Sequence, residues 1–198
     1  EAVPGHHYQI SLAQEDARLP SFQRFGGNTA YVEGWALYSE TLGYEMGFYR
    51  DPMQHWGTLD DEMLRAMRLV VDTGIHWFGW TRAQAIQFLL DHTSLSENEA
   101  AVETDRYIAI PGQALAYKIG ALTIQRLKDK ARAELGDRFD PRAFHAQILD
   151  SGALPMAFTL KVAVCPFTTG SVSTISSVTR AGNSAATGAP LNTSSSIV

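Results

Sequence analysis

The run Glu1-Ala2-Val3-Pro4-Gly5-His6-His7-Tyr8-Gln9 places a carboxylate just ahead of two imidazoles, on a stretch that reads as helix-like. In zinc hydrolases a His ligates the ion and a neighbouring Glu takes the proton of its water, usually within His-Glu-x-x-His. The upstream His of such a motif would stand one position before Glu1. Counted from there, His6 follows by six residues and His7 by seven. On a regular α-helix six residues is roughly 240° of rotation and seven is about 10.5 Å of rise, so neither shares an ion with that position. A bulge or kink at Pro4-Gly5 would fold the second His back toward the first. Without it, the doubled His reads as an ordinary surface or core pair.

A second cluster is Tyr31-Val32-Glu33-Gly34-Trp35-Ala36-Leu37-Tyr38-Ser39-Glu40. Glu33 and Glu40 lie two turns apart on one mostly apolar helix face. A carboxylate there must be paired, protonated or bound to metal, because a lone buried charge is expensive. A Glu from a second helix suits a two-His-one-Glu zinc site with an open water position. The plainer alternative is an ion pair with Arg24 or Arg68. A third cluster joins Arg106-Tyr107 to Pro111-Gly112-Gln113-Ala114-Leu115-Ala116-Tyr117-Lys118. Tyr117, just past a Pro-Gly break, could donate to the oxyanion of a tetrahedral intermediate, or be a core aromatic bonded to a backbone carbonyl. Arg68, Asp72 and His76 follow i, i+4, i+8. They form either a polar relay behind a ligand or an exposed ladder.

The elements that must position these residues are helices. Ala30–Phe48 carries an apolar stripe with Asn28 or Thr29 as N-cap, and Asp51-Pro52 stops it. Asp60–Trp77 repeats the pattern through Met63, Met67, Val70, Val71 and Ile75, after a Thr58/Asp60 cap. Thr81 caps a helix over Arg82–His92, and Ser96 with Glu99 forms a capping box for one reaching Ile108. Gln113–Leu135 is a long amphipathic helix closed by Gly136, and Asp140-Pro141 opens a last one to Leu149. No segment alternates as a strand does. The class is all-α.

Composition narrows the functions further. With 198 residues, 45% hydrophobic and 19% charged, the chain has enough apolar material for one sizeable core. A net charge of −5 argues against a phosphate-tracking nucleic-acid binder. No apolar run is long enough for a membrane span, and no targeting segment is legible, so the compartment is unknown. Cys165 is the only cysteine, so metal chemistry falls to His, Asp and Glu. From Val162 to Val198 the only charged side chain is Arg180. That Ser/Thr-rich tract, residues 162–198, reads as a disordered tail or as the product of a reading-frame error, against a folded region over 1–161.

Taken together, the Glu1–Gln9, Tyr31–Glu40 and Pro111–Gly120 runs, with Val71-Asp72-Thr73-Gly74-Ile75-His76 between them, resemble a large bacterial family. It is a domain of unknown function, family eight-eight-five, similar to gluzincin-type zinc metallopeptidases. The resemblance covers Glu1 to about Val162, in order. It implies the C-terminal part of a longer helical, zincin-like peptidase whose N-terminal portion supplies the first ligand His. It implies Glu1 as general base, His6 rather than His7 as a zinc ligand, and Glu33 as the third ligand. Tyr117 is implied as oxyanion donor. His7, Arg68, Asp72, His76, Arg106 and Gln113 remain candidates for substrate binding or for support of the ligands. The expected reaction is hydrolysis of a short peptide by zinc-activated water. The competing expectation is a helical module without catalysis, which packs on partners and binds no metal.

Overall fold

The computed structural model describes residues 3–157. Glu1, the expected base, lies outside the described residues, as do Cys165 and the expected tail over 162–198. The described residues form eight α-helices and no strand, so the chain is all-α: α1 (His6–Glu15), α2 (Ser21–Arg24), α3 (Thr29–Glu45), α4 (Pro52–His76), α5 (Arg82–His92), α6 (Glu97–Ala109), α7 (Gln113–Leu135) and α8 (Pro141–Leu149). A short 3-10 turn, Gly136–Arg138, links the last two. None of these helices is long and apolar enough to cross a membrane.

Helix starts follow side-chain chemistry. Asn28 accepts from the Tyr31 amide, and Asp140 accepts from the Arg142 amide with Pro141 in the first turn. Thr81 with Gln84, and Ser96 with Glu99, close reciprocal capping boxes. Each such cap contributes about 1 kcal/mol. The expected start of the second long helix is corrected. Helix α4 begins at Pro52, with Asp51 accepting from the Met53 amide. Asp51-Pro52 therefore ends one helix and opens the next, because Pro fits a first helical turn. The residues expected as its cap have other partners: Thr58 donates to the His55 carbonyl (2.7 Å), and Asp60 accepts from Ser94 Oγ (2.7 and 2.8 Å).

Helix α3 makes its main packing against α7, and α1 and α8 lie beside them. Trp35, Tyr31, Tyr38, Ile124, Phe144 and Ile148 are buried there, and Tyr31 Oη donates to the Ile148 carbonyl at 2.9 Å. A second core joins α4, α5 and α6 to the start of α7, around Val71, Leu89, Ala100 and Tyr107. Only part of the expected α4 stripe points inward. Val71 is fully buried, and Met67 and Ile75 pack on it, whereas Met63 and Val70 face outward on a side that also exposes Trp56 and Leu59.

Candidate functional site

The first turn of α1 is fastened to α3. Trp35 Nε1 donates to the Pro4 carbonyl at 2.7 Å, and Gln9 Nε2 donates to the Tyr31 carbonyl at 3.3 Å. These two bonds set His6 over the start of α3, with its Nε2 3.4 Å from Glu33 Oε2. Both side chains are partly buried. His6 Nδ1 is buried with no protein partner. His7, one residue on, points to the exposed side. Neither arginine suggested as a partner of Glu33 reaches it. Arg24 donates to the Gln14 carbonyl (3.1 and 2.6 Å), and Arg68 turns to Glu103 and Tyr107.

The other carboxylate oxygen of Glu33 belongs to α7. Gln113 Nε2 donates to Glu33 Oε1 at 3.2 Å and to Tyr117 Oη at 3.3 Å. Arg106, from α6, donates to Gln113 Oε1 (3.1 Å) and to Tyr117 Oη (3.2 Å). The Tyr117 oxygen thus accepts two hydrogen bonds, which directs its single proton elsewhere. Asp72 holds the start of this helix: its carboxylate accepts from the Gly112 amide at 3.0 and 3.2 Å. Gly112 has φ of 79°, a left-handed turn that glycine adopts without strain.

Behind Tyr117 lies a buried ionic group. The Arg68 guanidinium sits 4.9 Å from the Tyr117 ring centroid, bonds Glu103 Oε2 at 2.9 Å and donates to Tyr107 Oη at 3.1 Å. Burial alone raises the Glu103 pKa, but the Tyr107 hydroxyl and the Arg68 and Arg106 cations outweigh it and hold the carboxyl below its usual value. Burial, then the same carboxylate, pushes the Tyr107 phenol well above its usual range. His76 bonds the Tyr107 carbonyl through Nε2 at 2.9 Å. Arg68 and Asp72 are buried, so they do not form the exposed ladder that their spacing allowed.

The structure therefore brings together His6, Glu33, Gln113, Tyr117 and Arg106, with Arg68, Asp72 and His76 one layer behind. His7 stands apart. Among the described residues no three His, Cys, Asp or Glu side chains form a metal-binding group. A cleft of about 170 Å³ opens beside the site, with His6, Tyr117, Glu40 and Arg65 in its wall. Two residues of this region escaped the sequence reading. Glu103 was findable, standing i, i+4 from Tyr107 and i, i+3 from Arg106, a pair already singled out. Arg65 carried no local signal, because its place in the wall depends on how α4 meets the rest of the fold.

A family model described as "Bacterial protein of unknown function (DUF885)" matches residues 1–161. Two solved structures are similar. One, described as a "putative lipoprotein" from Colwellia psychrerythraea, has a TM-score of 0.81 and 49% identity, covering 82% of this chain and 28% of that one. The other, described as a "putative lipoprotein of unknown function" from Shewanella oneidensis, has a TM-score of 0.73 and 29% identity, over 82% of this chain and 30% of that one. The chain thus spans less than a third of either structure's chain. No curated protein matches it.

Proposed function

The chain belongs to the bacterial DUF885 family, and from that premise we propose that it forms part of a zinc-dependent metallopeptidase that hydrolyses short peptides. The observation that carries the reading is the pairing of His6 Nε2 with Glu33 Oε2 at 3.4 Å. Nitrogen and oxygen ligands held about 2.0–2.2 Å from one tetrahedral ion stand roughly 3.3 Å apart, so this donor pair fits zinc. His6 and Glu33 would hold the ion, with a further ligand from outside the described residues. When bound, zinc would supply a nucleophilic water at neutral pH and polarise the scissile carbonyl.

The remaining roles follow from the chain's own side chains. Gln113 fixes Glu33 Oε1 and leaves Oε2 turned to His6, the outer support that metal-binding carboxylates need. Tyr117, with its lone pairs filled by Gln113 and Arg106, presents its proton to a developing oxyanion. Glu1 would take the water proton and pass it to the leaving amine.

The test uses the full-length protein. Glu1→Gln should keep about one zinc per chain and lose most peptidase activity, while His6→Ala and Glu33→Ala should lose the metal. Full zinc content in Glu33→Ala would remove that residue from the site. The alternative to this reading is a helical scaffold without catalysis. A full-length protein that purifies without zinc and takes none up would favour it.

A further inference from the structure

We propose that the outward face of α4 is an internal interface: in the full-length protein it packs along a helix from the portion of that protein lying outside this chain. The other sides of α4 are occupied. Met67, Val71 and Ile75 belong to the second core, Lys118 of α7 pairs with Glu62, and His76 bonds the Tyr107 carbonyl. The outward face carries Trp56, Met63, Val70 and Trp77, each seven residues from the next, with Leu59 and Ala66 at intervening steps. None of these is charged, and Trp56, Leu59, Met63, Val70 and Trp77 are exposed. On a straight helix such a row drifts only about 20° per repeat, so it stays on one face over this span. Apolar residues at alternating steps of three and four form the seam by which one helix lies along another, crossing it at about 20°.

Chain length selects the occupant. This chain covers 28% and 30% of the two similar solved chains, so more than two thirds of each lies outside it. A segment tethered to the same chain acts at an effective concentration approaching about 1 mM. A second copy at micromolar concentration competes poorly with it, and takes the face only where that segment is absent. The partner element is a helix, because the seam suits one and the described residues contain no strand. A lipid surface suits this face less well. Helices that lie on membranes flank their apolar side with Lys and Arg, whereas Asp60, Asp61 and Glu62 stand beside this one. A contiguous apolar patch marks an interaction site, and here the full-length protein brings its own partner.

Hydroxyl-radical footprinting reads this face in the full-length protein and in the 198-residue chain, the latter diluted below its association range. In the full-length protein Trp56, Met63 and Trp77 should oxidise on the order of 10-fold more slowly, as side chains at the core of a packed interface do. That protection should not change on dilution. Met63→Lys should remove most of the Trp56 protection in the full-length protein, yet leave the helicity of the short chain unchanged. Should the variant not fold, the wild-type comparison decides alone. Equal rates in the two proteins overturn the proposal, since residues 158–198 are present in both and any cover they supply is shared. Protection that fades on dilution assigns the face to a second copy and overturns it. Protection that needs vesicles of phosphatidylethanolamine and phosphatidylglycerol assigns the face to lipid, with the same result. The readout requires neither zinc nor turnover, so its outcome is separate from that of the peptidase reading.

Discussion

Gly34 and Gly120 touch backbone to backbone where α3 crosses α7. A Cβ on Gly120 would lie 2.0 Å from the Ala30 carbonyl oxygen, and one on Gly34 would lie 2.4 Å from Gly120 Cα. Gly34 follows Glu33, and Gly120 lies one turn beyond Tyr117. This contact is what lets a carboxylate on one helix and the Gln113–Tyr117 pair on the other come within hydrogen-bond reach.

Gly34→Ala and Gly120→Ala should each destabilise the fold. In an open helix the change would stabilise by about 0.5–1 kcal/mol. Here the added methyl meets main chain that has no rotamer to yield, and overpacking of this kind costs about 1–3 kcal/mol. Urea denaturation of each variant gives the sign. A raised midpoint for Gly120→Ala would mean that the two helices are not held at this spacing.

Gln113→Leu should weaken metal binding without touching a ligand. It removes the donor to Glu33 Oε1 and the bonds with Tyr117 and Arg106. Loss of such an outer partner lowers metal affinity by about 10–100-fold. Competition of the full-length protein against a zinc-binding dye measures it. An unchanged affinity would mean that Gln113 does not orient the carboxylate.

Acid should act on the fold in two windows. Burial, helped by the Lys128 charge, depresses the His145 pKa below its usual 6.5, and its Nε2 bonds Tyr38 Oη at 2.7 Å. Below about pH 6.5 the unfolded chain then takes up a proton that the folded chain refuses. Stability is complete above that pH and falls as pH drops toward the lower folded value. Glu103, also depressed, contributes above its usual 4.5 and loses that contribution as pH falls through its folded value. Urea midpoints against pH should therefore decline first below 6.5 and again in the acid range. His145→Gln should flatten only the first decline. A wild-type midpoint that is level from pH 7 to 5 would count against the assignment.

What the sequence made legible was local. The caps at Asn28, Thr81, Ser96 and Asp140 rest on bonds spanning two or three residues, which residue type alone announces. Asp51-Pro52 misled because the same pair serves as a stop and as a start. Long-range partners had no such signal. Lys128 is almost fully buried, with its Nζ bonded to Glu45 Oε1 at 2.6 Å, 83 residues away. Tyr38 meets His145 across 107 residues. On the site, Gln113 was legible as a candidate only through its motif. Its choice of Glu33, 80 residues away, depends on the Gly34–Gly120 crossing.

The outward side of α4 leads to the last prediction. Trp56, Leu59, Met63 and Val70 follow helical spacing and are 40–62% exposed, and Trp77 beyond the helix end is 79% exposed. Isolated exposed apolar side chains are ordinary, but a contiguous row of them promotes association. The inward residues Met67, Val71 and Ile75 hold α4 to its own core, so the helix should stay folded while its other face remains adhesive. The 198-residue chain alone should therefore be helical by circular dichroism and self-associate at micromolar concentration in sedimentation. With His6 and Glu33 the donors brought together among the described residues, it should bind zinc weakly and show no peptidase activity. Trp56→Glu combined with Met63→Lys should lower the association without reducing helicity, because neither side chain supports the core. A monodisperse monomer, or an unchanged association in the double variant, would show that this face is not the adhesive one. Tight stoichiometric zinc with peptide cleavage from this chain alone would show that another side chain completes the ligand set.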